Sequence, residues 1–302
     1  MQIQFKPITL EDRDIIKSFT IPGNYRNCDF SFSNMCSWSF LYKSEYAVVD
    51  YSLLIRFWIE DGTRIAYRCP IGKGDLKQAV ELLEEDSLAN GHPLLMLGIT
   101  QAAKEKLNAA FPDALVYIPN RDYFDYIYMK EDLATLKGKK YQSKRNHINN
   151  FKKQYPYEYL PITPELVPHC LRLEHKWFKA NDPESEGDDL TYERRSLTFA
   201  LQNFEALGLT GGAIRVGTEI VAFTFGSPIN HNTFGVHVEK ADVNFQGAFT
   251  IINQEFASRI PEQYMYVNRE EDLGLPGLRQ AKLSYNPVIL LEKNVVVKKP
   301  QS

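Results

Sequence analysis

Three things are scarce in this chain, and each scarcity excludes a class of protein. Cysteine is limited to Cys28, Cys36, Cys69 and Cys170, none in a Cys-x-x-Cys pair or at a Cys/His metal spacing. That excludes a disulfide scaffold and a zinc module, and free thiols in a reducing compartment are expected. No apolar run reaches the ~18 residues a membrane-spanning helix needs. Met1 leads into a strand-like Ile3–Ile8 without a signal-peptide pattern, so a cytoplasmic location is expected. Net charge is only −3 over 302 residues, so no global field attracts polyanions and any basic surface must be local.

What is present is globular composition at two-domain length, and a repeat. Pro7-Ile8-Thr9-Leu10-Glu11 follows a strand-like segment, with Thr9 as a helix N-cap and Asp12 three residues on. Pro161-Ile162-Thr163-Pro164-Glu165 follows the strand Tyr157–Leu160 and has Pro164 at the first helical position. Gly62-Thr63-Arg64-Ile65 and Gly217-Thr218-Glu219-Ile220 then sit in hairpins at nearly the same offset. Two matched landmarks predict a duplicated domain. Each half reads as strand, helices, antiparallel meander, helix, strand, helix and closing strands, which is a mixed α/β (α+β) sheet per half. The expected division is 1–130, a connecting segment 131–154, and 155–302.

Two stretches concentrate charge. Lys137–Lys153 holds seven Lys/Arg in 17 positions, and Lys140, Lys144 and His147 share a helical face by spacing. Arg145 belongs to the same run. Such a helix suits phosphate or an RNA backbone, and serves equally as a solvated connector. The second stretch, Tyr266–Leu291, reads as a short strand, an acidic turn (Arg269, Glu270, Glu271, Asp272), a helix opened by Gly-Leu-Pro, and a closing strand. A strand end that delivers carboxylates beside a helix is a common way to build a site on an open α/β sheet.

With these motifs in view the chain resembles bacterial proteins that carry a phosphatidylglycerol lysyltransferase C-terminal domain. It is similar also to the peptidoglycan-bridge aminoacyltransferases. Both are tandem GNAT (acyl-CoA N-acyltransferase-like) folds, each domain a mostly antiparallel sheet flanked by helices. The resemblance rests on GKKYQSKRNHINNF (Gly138–Phe151), FGVHVEKAD (Phe234–Asp242), FQGAF (Phe245–Phe249) and NREEDLGLPGLRQAKLSYNP (Asn268–Pro287). It implies an acyltransferase moving an aminoacyl group from aminoacyl-tRNA to an amine or hydroxyl acceptor, with tRNA as partner. An acyl-CoA donor is the alternative, and a non-catalytic nucleotide- or RNA-binding protein a third. The lysyltransferase relatives also carry an integral-membrane region, which no segment here matches, and this counts against inheriting a lipid acceptor.

The resemblance also implies roles. Glu239, at the end of strand Thr233–Glu239, is the expected base or acceptor-ammonium ligand, with His237 as an alternative base. Tyr285 is expected near the leaving group, and Lys282 at a phosphate or the developing oxyanion. Asn268, Arg269, Glu271 and Asp272 are expected to bind substrate. Lys140, Lys144, Arg145, Gln246 and Gly247 are expected to hold donor phosphates. Against the GNAT phosphate-loop pattern Gly247 fits, but Asn244 and Phe249 depart from it, which counts against CoA in the second half. Cys69-Pro-Ile-Gly72-Lys73-Gly74 is the corresponding loop of the first half. No step requires a metal or a tightly bound cofactor.

Overall fold

The computed structural model describes residues 3–181 and 188–300. In chain order these form β1 (Lys6–Pro7), α1 (Arg13–Thr20), α2 (Phe32–Ser37), α3 (Ser39–Tyr42), β2 (Glu45–Val49), β3 (Ser52–Ile59), β4 (Arg64–Tyr67) and β5 (Ile71–Gly72). Next come α4 (Leu76–Ala89), β6 (Leu95–Thr100), α5 (Gln101–Ala110), β7 (Leu115–Pro119), β8 (Asp125–Met129), α6 (Lys130–Thr135) and α7 (Gln142–Gln154). The second half has β9 (Tyr157–Pro161), α8 (Val167–Asn181), α9 (Asp188–Gln202), β10 (Thr210–Val216), β11 (Glu219–Pro228) and β12 (Thr233–Ala241). It ends with α10 (Ala248–Ala257), β13 (Tyr266–Asn268), α11 (Pro276–Leu283), β14 (Ile289–Leu291) and β15 (Lys293–Lys298). Among the described residues no helix is long and apolar enough to cross a membrane.

The strands make two sheets with one plan. The first runs β1-β2-β3-β4-β6-β15-β7, and the second β9-β10-β11-β12-β13-β8-β14. In both, the fourth and fifth strands pair in parallel and the other neighbours are antiparallel. The sixth place in each sheet is filled by the other half. β15, at the end of the chain, completes the first sheet, and β8, at the end of the first half, completes the second. The expected bounds 1–130 and 155–302 are therefore crossed at both ends. Local periodicity marks β8 and β15 as closing strands but does not say which sheet they close.

The Pro-Ile-Thr echo falls on equivalent places, after β1 and after β9. Thr9 and Asp12 form the capping box expected of them, closing a single 3₁₀ turn that runs into α1. The Gly-Thr echo does not. Gly62 turns β3 into β4, whereas Gly217 turns β10 into β11, one hairpin earlier in the plan. Duplication is carried by strand order, and that second echo is a property of tight turns.

Both faces of each sheet are covered, so the strands are apolar on both sides. Leu53 and Ile55 of β3 face a shared core with Ile16, Phe32, Cys170, Leu173, Leu197, Phe223 and Phe225. Leu54 between them faces the opposite core under α4 and α5. α1, α2, α8 and α9 thus pack as one apolar layer between the sheets. On the outer face of the second sheet lie α6, α7 and α10, with Tyr141, Ile148 and Phe151 buried as the spacing predicts.

Candidate functional site

The site begins where β12 leaves β13. The parallel pairing runs Thr233–Tyr266, Phe234–Val267 and Gly235–Asn268, then stops. On β12 the register to β11 slips, so that His237 is an extra residue between Val236 and Val238. Such a bulge bends its strand and re-aims a side chain. On the other side the chain turns toward β8. The Arg269 N–H donates to the Tyr126 carbonyl (2.9 Å), and Tyr126 N–H donates to the Glu270 carbonyl (3.1 Å). Glu270 itself has φ 59°, in the left-handed region. The two strands therefore diverge into a wedge.

Two pairs of side chains span the wedge. His237 Nδ1 meets Glu270 Oε1 at 2.8 Å, and Arg269 Nη2 donates to Glu239 Oε1 at 3.0 Å. The other Glu239 oxygen accepts from Asn253 Nδ2 of α10 (3.0 Å). Arg269 lies over the Tyr285 ring at 4.9 Å and the Tyr128 ring at 5.7 Å. Burial works against the Arg269 charge, but Glu239 and the two tyrosines outweigh it, and its pKa is raised. Lys282 Nζ donates to the Arg269 carbonyl (2.6 Å) and to the Glu271 carbonyl. Burial pulls the Lys282 pKa down, and Glu270 acts against that. Burial pushes the Tyr285 hydroxyl up to about 12, so it keeps its proton at neutral pH. Lys144 of α7 donates to Ser284 Oγ (2.7 Å) and stands 4.0 Å from the Tyr285 ring centre. A surface hollow on α11, lined by Pro276, Arg279, Gln280, Leu283 and Ser284, adjoins this edge.

The structure thus brings Glu239, Arg269, Lys282, Tyr285 and Lys144 around one segment, with His237 beside them. His237 also reaches the first half of the chain. Its Nε2 lies 2.8 Å from Ser227 Oγ and 3.2 Å from Ser31 Oγ, and Ser33 bridges these two hydroxyls at 3.0 and 2.8 Å. Asn34 Nδ2 donates to Glu270 Oε1 (2.7 Å). A carboxylate on Nδ1 assigns the ring proton to that nitrogen and leaves Nε2 to accept from a serine.

The other expected residues are engaged elsewhere. Asn268 is fully buried, donating to the Arg26 carbonyl and to Asp125 (both 2.7 Å) and accepting from Glu270 N–H (2.7 Å). The Asp272 carboxylate is fully buried between Arg121 (3.0 Å), Arg279 (2.8 Å) and the Tyr126 hydroxyl, where it fixes the start of α11. Glu271 bonds Lys293 and accepts from Cys28 Sγ (3.3 Å). These three hold the turn that carries Arg269.

The expected phosphate ligands divide. Arg145 donates to the Leu136 carbonyl, to the Gly138 carbonyl (2.7 Å) and to Gln142 Oε1 (2.6 Å), so its guanidinium ties down the turn before α7. Lys140 is exposed and pairs with Asp132 at 3.1 Å. Gln246 is exposed. Gly247 has φ 93°, and a Cβ there would lie 2.8 Å from the His147 carbonyl, so it is the contact that lets α7 lie on the start of α10. In the first half, a Cβ on Gly72 or Gly74 would overlap the Tyr51 or Asp50 carbonyl at 2.0 and 2.1 Å. Those glycines answer to the β2–β3 turn.

A second buried cluster was not foreseen. Lys293, the first residue of β15, places Nζ 2.8 Å from Asp125, the first residue of β8, and 3.0 Å from Asp29, and also bonds Glu271. The two exchanged strands are thus joined by a buried ion pair where they cross. Burial works against the Lys293 charge, but Asp125, Asp29, Cys28 and Glu271 hold its pKa well above the usual lysine value. Burial raises the Glu271 carboxyl against the pull of Lys293. The one signal in the sequence is Glu292-Lys293-Asn294, set between the apolar triplets Ile289–Leu291 and Val295–Val297. Among the described residues, Cys28, Asp29 and Glu271 converge closely enough to hold a cation, and the Lys293 ammonium bonds both carboxylates.

Comparison with known proteins bears on the fold and the family. A conserved protein of unknown function from Bacteroides thetaiotaomicron is 55 % identical, with a TM-score of 0.94 over 98 % of this chain and 100 % of that one. L-PGS from Bacillus licheniformis has the same fold at 14 % identity, with a TM-score of 0.68 over 98 % of this chain and 94 % of that one. An uncharacterized protein of Mycoplasmoides gallisepticum is 25 % identical over 175 residues, 57 % of this chain, and the match spans only 55 % of that relative's length. The crystal structure of FemX shares the fold at 8 % identity, with a TM-score of 0.55 over 97 % of each chain. Residues 23–296 match the family described as phosphatidylglycerol lysyltransferase, C-terminal, and the chain belongs to that family.

Proposed function

We propose that this protein is an acyltransferase that moves an aminoacyl group from aminoacyl-tRNA to an amine or hydroxyl acceptor, with its reaction centre in the wedge between β12 and residues 269–272. The observation that carries this reading is the grouping of Glu239, Arg269 and Tyr285 at a strand divergence bordered by the basic helix α7. The acceptor nucleophile attacks the ester carbonyl carbon, a new C–N or C–O bond forms, and the bond to the tRNA 3′-oxygen breaks. Glu239 takes the proton of the nucleophile, held in place by Arg269 and Asn253. The Arg269 guanidinium faces the negative charge that develops on the carbonyl oxygen. Tyr285, protonated at neutral pH, returns a proton to the leaving oxygen. Lys282 acts through the backbone, gripping the carbonyls of Arg269 and Glu271 so that the turn keeps its shape.

Helix α7 and the turn before it supply the cations for an RNA backbone. Among the described residues Lys139, Lys152 and Lys153 are exposed and take part in no ion pair, which leaves them available to phosphates. The test is filter binding of total tRNA across a salt series, for the parent and a Lys139/Lys152/Lys153→Ala variant. Loss of three phosphate contacts should lower the slope of log K against log salt by about 2–3. Arg145 is left intact because its removal would release the turn before α7. No binding at low salt would sink the tRNA reading and direct the next assay to acyl-CoA.

A further inference from the structure

Two polar atoms beside Glu239 have no hydrogen-bond partner although both are buried: Arg269 Nη1, a donor, and Asn253 Oδ1, an acceptor. Asn253 is only 5 % exposed. Each orphan shares a carbon with the nitrogen that grips Glu239, since Arg269 Nη2 holds Oε1 and Asn253 Nδ2 holds Oε2, both at 3.0 Å. The Glu239 carboxylate is therefore flanked by one unused donor and one unused acceptor. Leaving such groups unpaired in a buried site is costly, and a bound ligand can recover that cost.

We propose that this pair reads the transferred group: Asn253 Oδ1 accepts from the α-ammonium of the aminoacyl moiety, and Arg269 Nη1 donates to its carbonyl oxygen. An α-aminoacyl ester carries a cationic donor and an acceptor on adjacent carbons, the complement of the two orphans. A simple acyl group such as acetyl offers only the acceptor and would leave Asn253 unpaired. Selection for aminoacyl over plain acyl donors thus follows from one amide oxygen. The carbonyl held by Arg269 is the one that becomes the oxyanion, so recognition and charge stabilisation use the same guanidinium. This rests on the reading of the reaction given above, and its test is separable from the tRNA measurement.

The probe is 3′-aminoacylamino-3′-deoxyadenosine, a hydrolysis-resistant mimic of a charged tRNA end, with glycyl, alanyl and lysyl groups, each paired with its counterpart lacking the α-amine. Affinities are measured by calorimetry on the full chain. For at least one pair, the amine-bearing compound should bind about 10- to 100-fold more tightly, as expected when a buried polar group is left unpaired by the wrong ligand. Asn253→Leu should bring the two compounds to equal affinity. The parent comparison needs no variant to fold. Equal affinities within every pair, or no binding by any compound, would overturn the proposal. If tRNA binding persists beside that result, the recognition role alone fails; if tRNA binding is absent as well, the reaction assignment fails with it.

Discussion

Replacing Lys293 by methionine should destabilise the protein by an amount that depends on pH in a predictable way. The ammonium bonds Asp125, Asp29 and Glu271 in a site where Lys293 is 3 % exposed. Breaking a buried ion pair from one side typically costs about 3–5 kcal/mol. Two of the carboxylates retain other partners. Asp29 keeps Arg68 at 2.7 Å, and Asp125 keeps the Cys28 N–H and Asn268 at 2.7 Å each. Glu271 loses its cation, and its cheapest escape is to take up a proton. From an ordinary value of 4.5, neutralising a carboxylate at pH 7 costs about 3.4 kcal/mol, and at pH 5 only about 0.7 kcal/mol.

The direction follows from linkage. Without Lys293 the folded-state pKa of Glu271 rises further above its unfolded value. Its contribution is then complete below the unfolded pKa and is lost as pH rises through the folded one. Urea unfolding followed by the fluorescence of Trp38, Trp58 and Trp177 should show a loss near 3 kcal/mol at pH 7 that shrinks by about 1.4 kcal/mol per pH unit toward pH 5. Lys293→Met combined with Glu271→Gln should recover most of the neutral-pH loss, because no carboxylate then needs a proton. A loss equal at both pH values, or a double variant no better than the single, would refute the reasoning.

Two further outcomes follow from the geometry. Burial pushes the Asp12 carboxyl up, but bonds from Tyr46 (2.6 Å), Thr9 and Lys6 outweigh it and bring its pKa down to about 2. That contribution is present above pH 3.8 and is lost as pH falls through about 2, so Asp12→Asn should lower stability at pH 6 by about 2 kcal/mol and approach the parent only below about pH 2. Gly247→Ala, at φ 93° with the His147 carbonyl 2.8 Å from the new Cβ, should cost about 1–3 kcal/mol in thermal unfolding; an unchanged Tm would show that α7 does not lean on this residue.

The parts of the molecule legible in sequence are those set by neighbours along the chain. Strand and helix periodicity gave the order of elements in each half. The turn after β13 announced itself through charges at a strand end, and Glu239, Arg269, Lys282 and Tyr285 do gather there. Most of what escaped was set by partners far away in sequence, and the rest by turns that spacing does not resolve. Arg145 reads as one cation of the basic run, yet the carbonyls that occupy it, those of Leu136 and Gly138, lie nine and seven residues back across such a turn. Asp272 looks like a free carboxylate until Arg121, 151 residues away, is folded against it. The exchange of β8 and β15 is the largest such effect, because a short apolar strand fits either sheet equally well. It also bears on the site. Asp125 and Lys293 meet where the exchanged strands cross, Lys293 holds the Glu271 carboxylate, and the Glu271 carbonyl receives Lys282 beside that of Arg269. Asp125 binds Asn268 as well, at the point where the wedge opens. The turn that aims Arg269 at Glu239 is therefore anchored on the strand crossing. A half-chain bearing every residue of the wedge would still lack β8, and with it Asp125, Tyr126 and Tyr128, so the proposed reaction centre depends on a strand contributed by the first half.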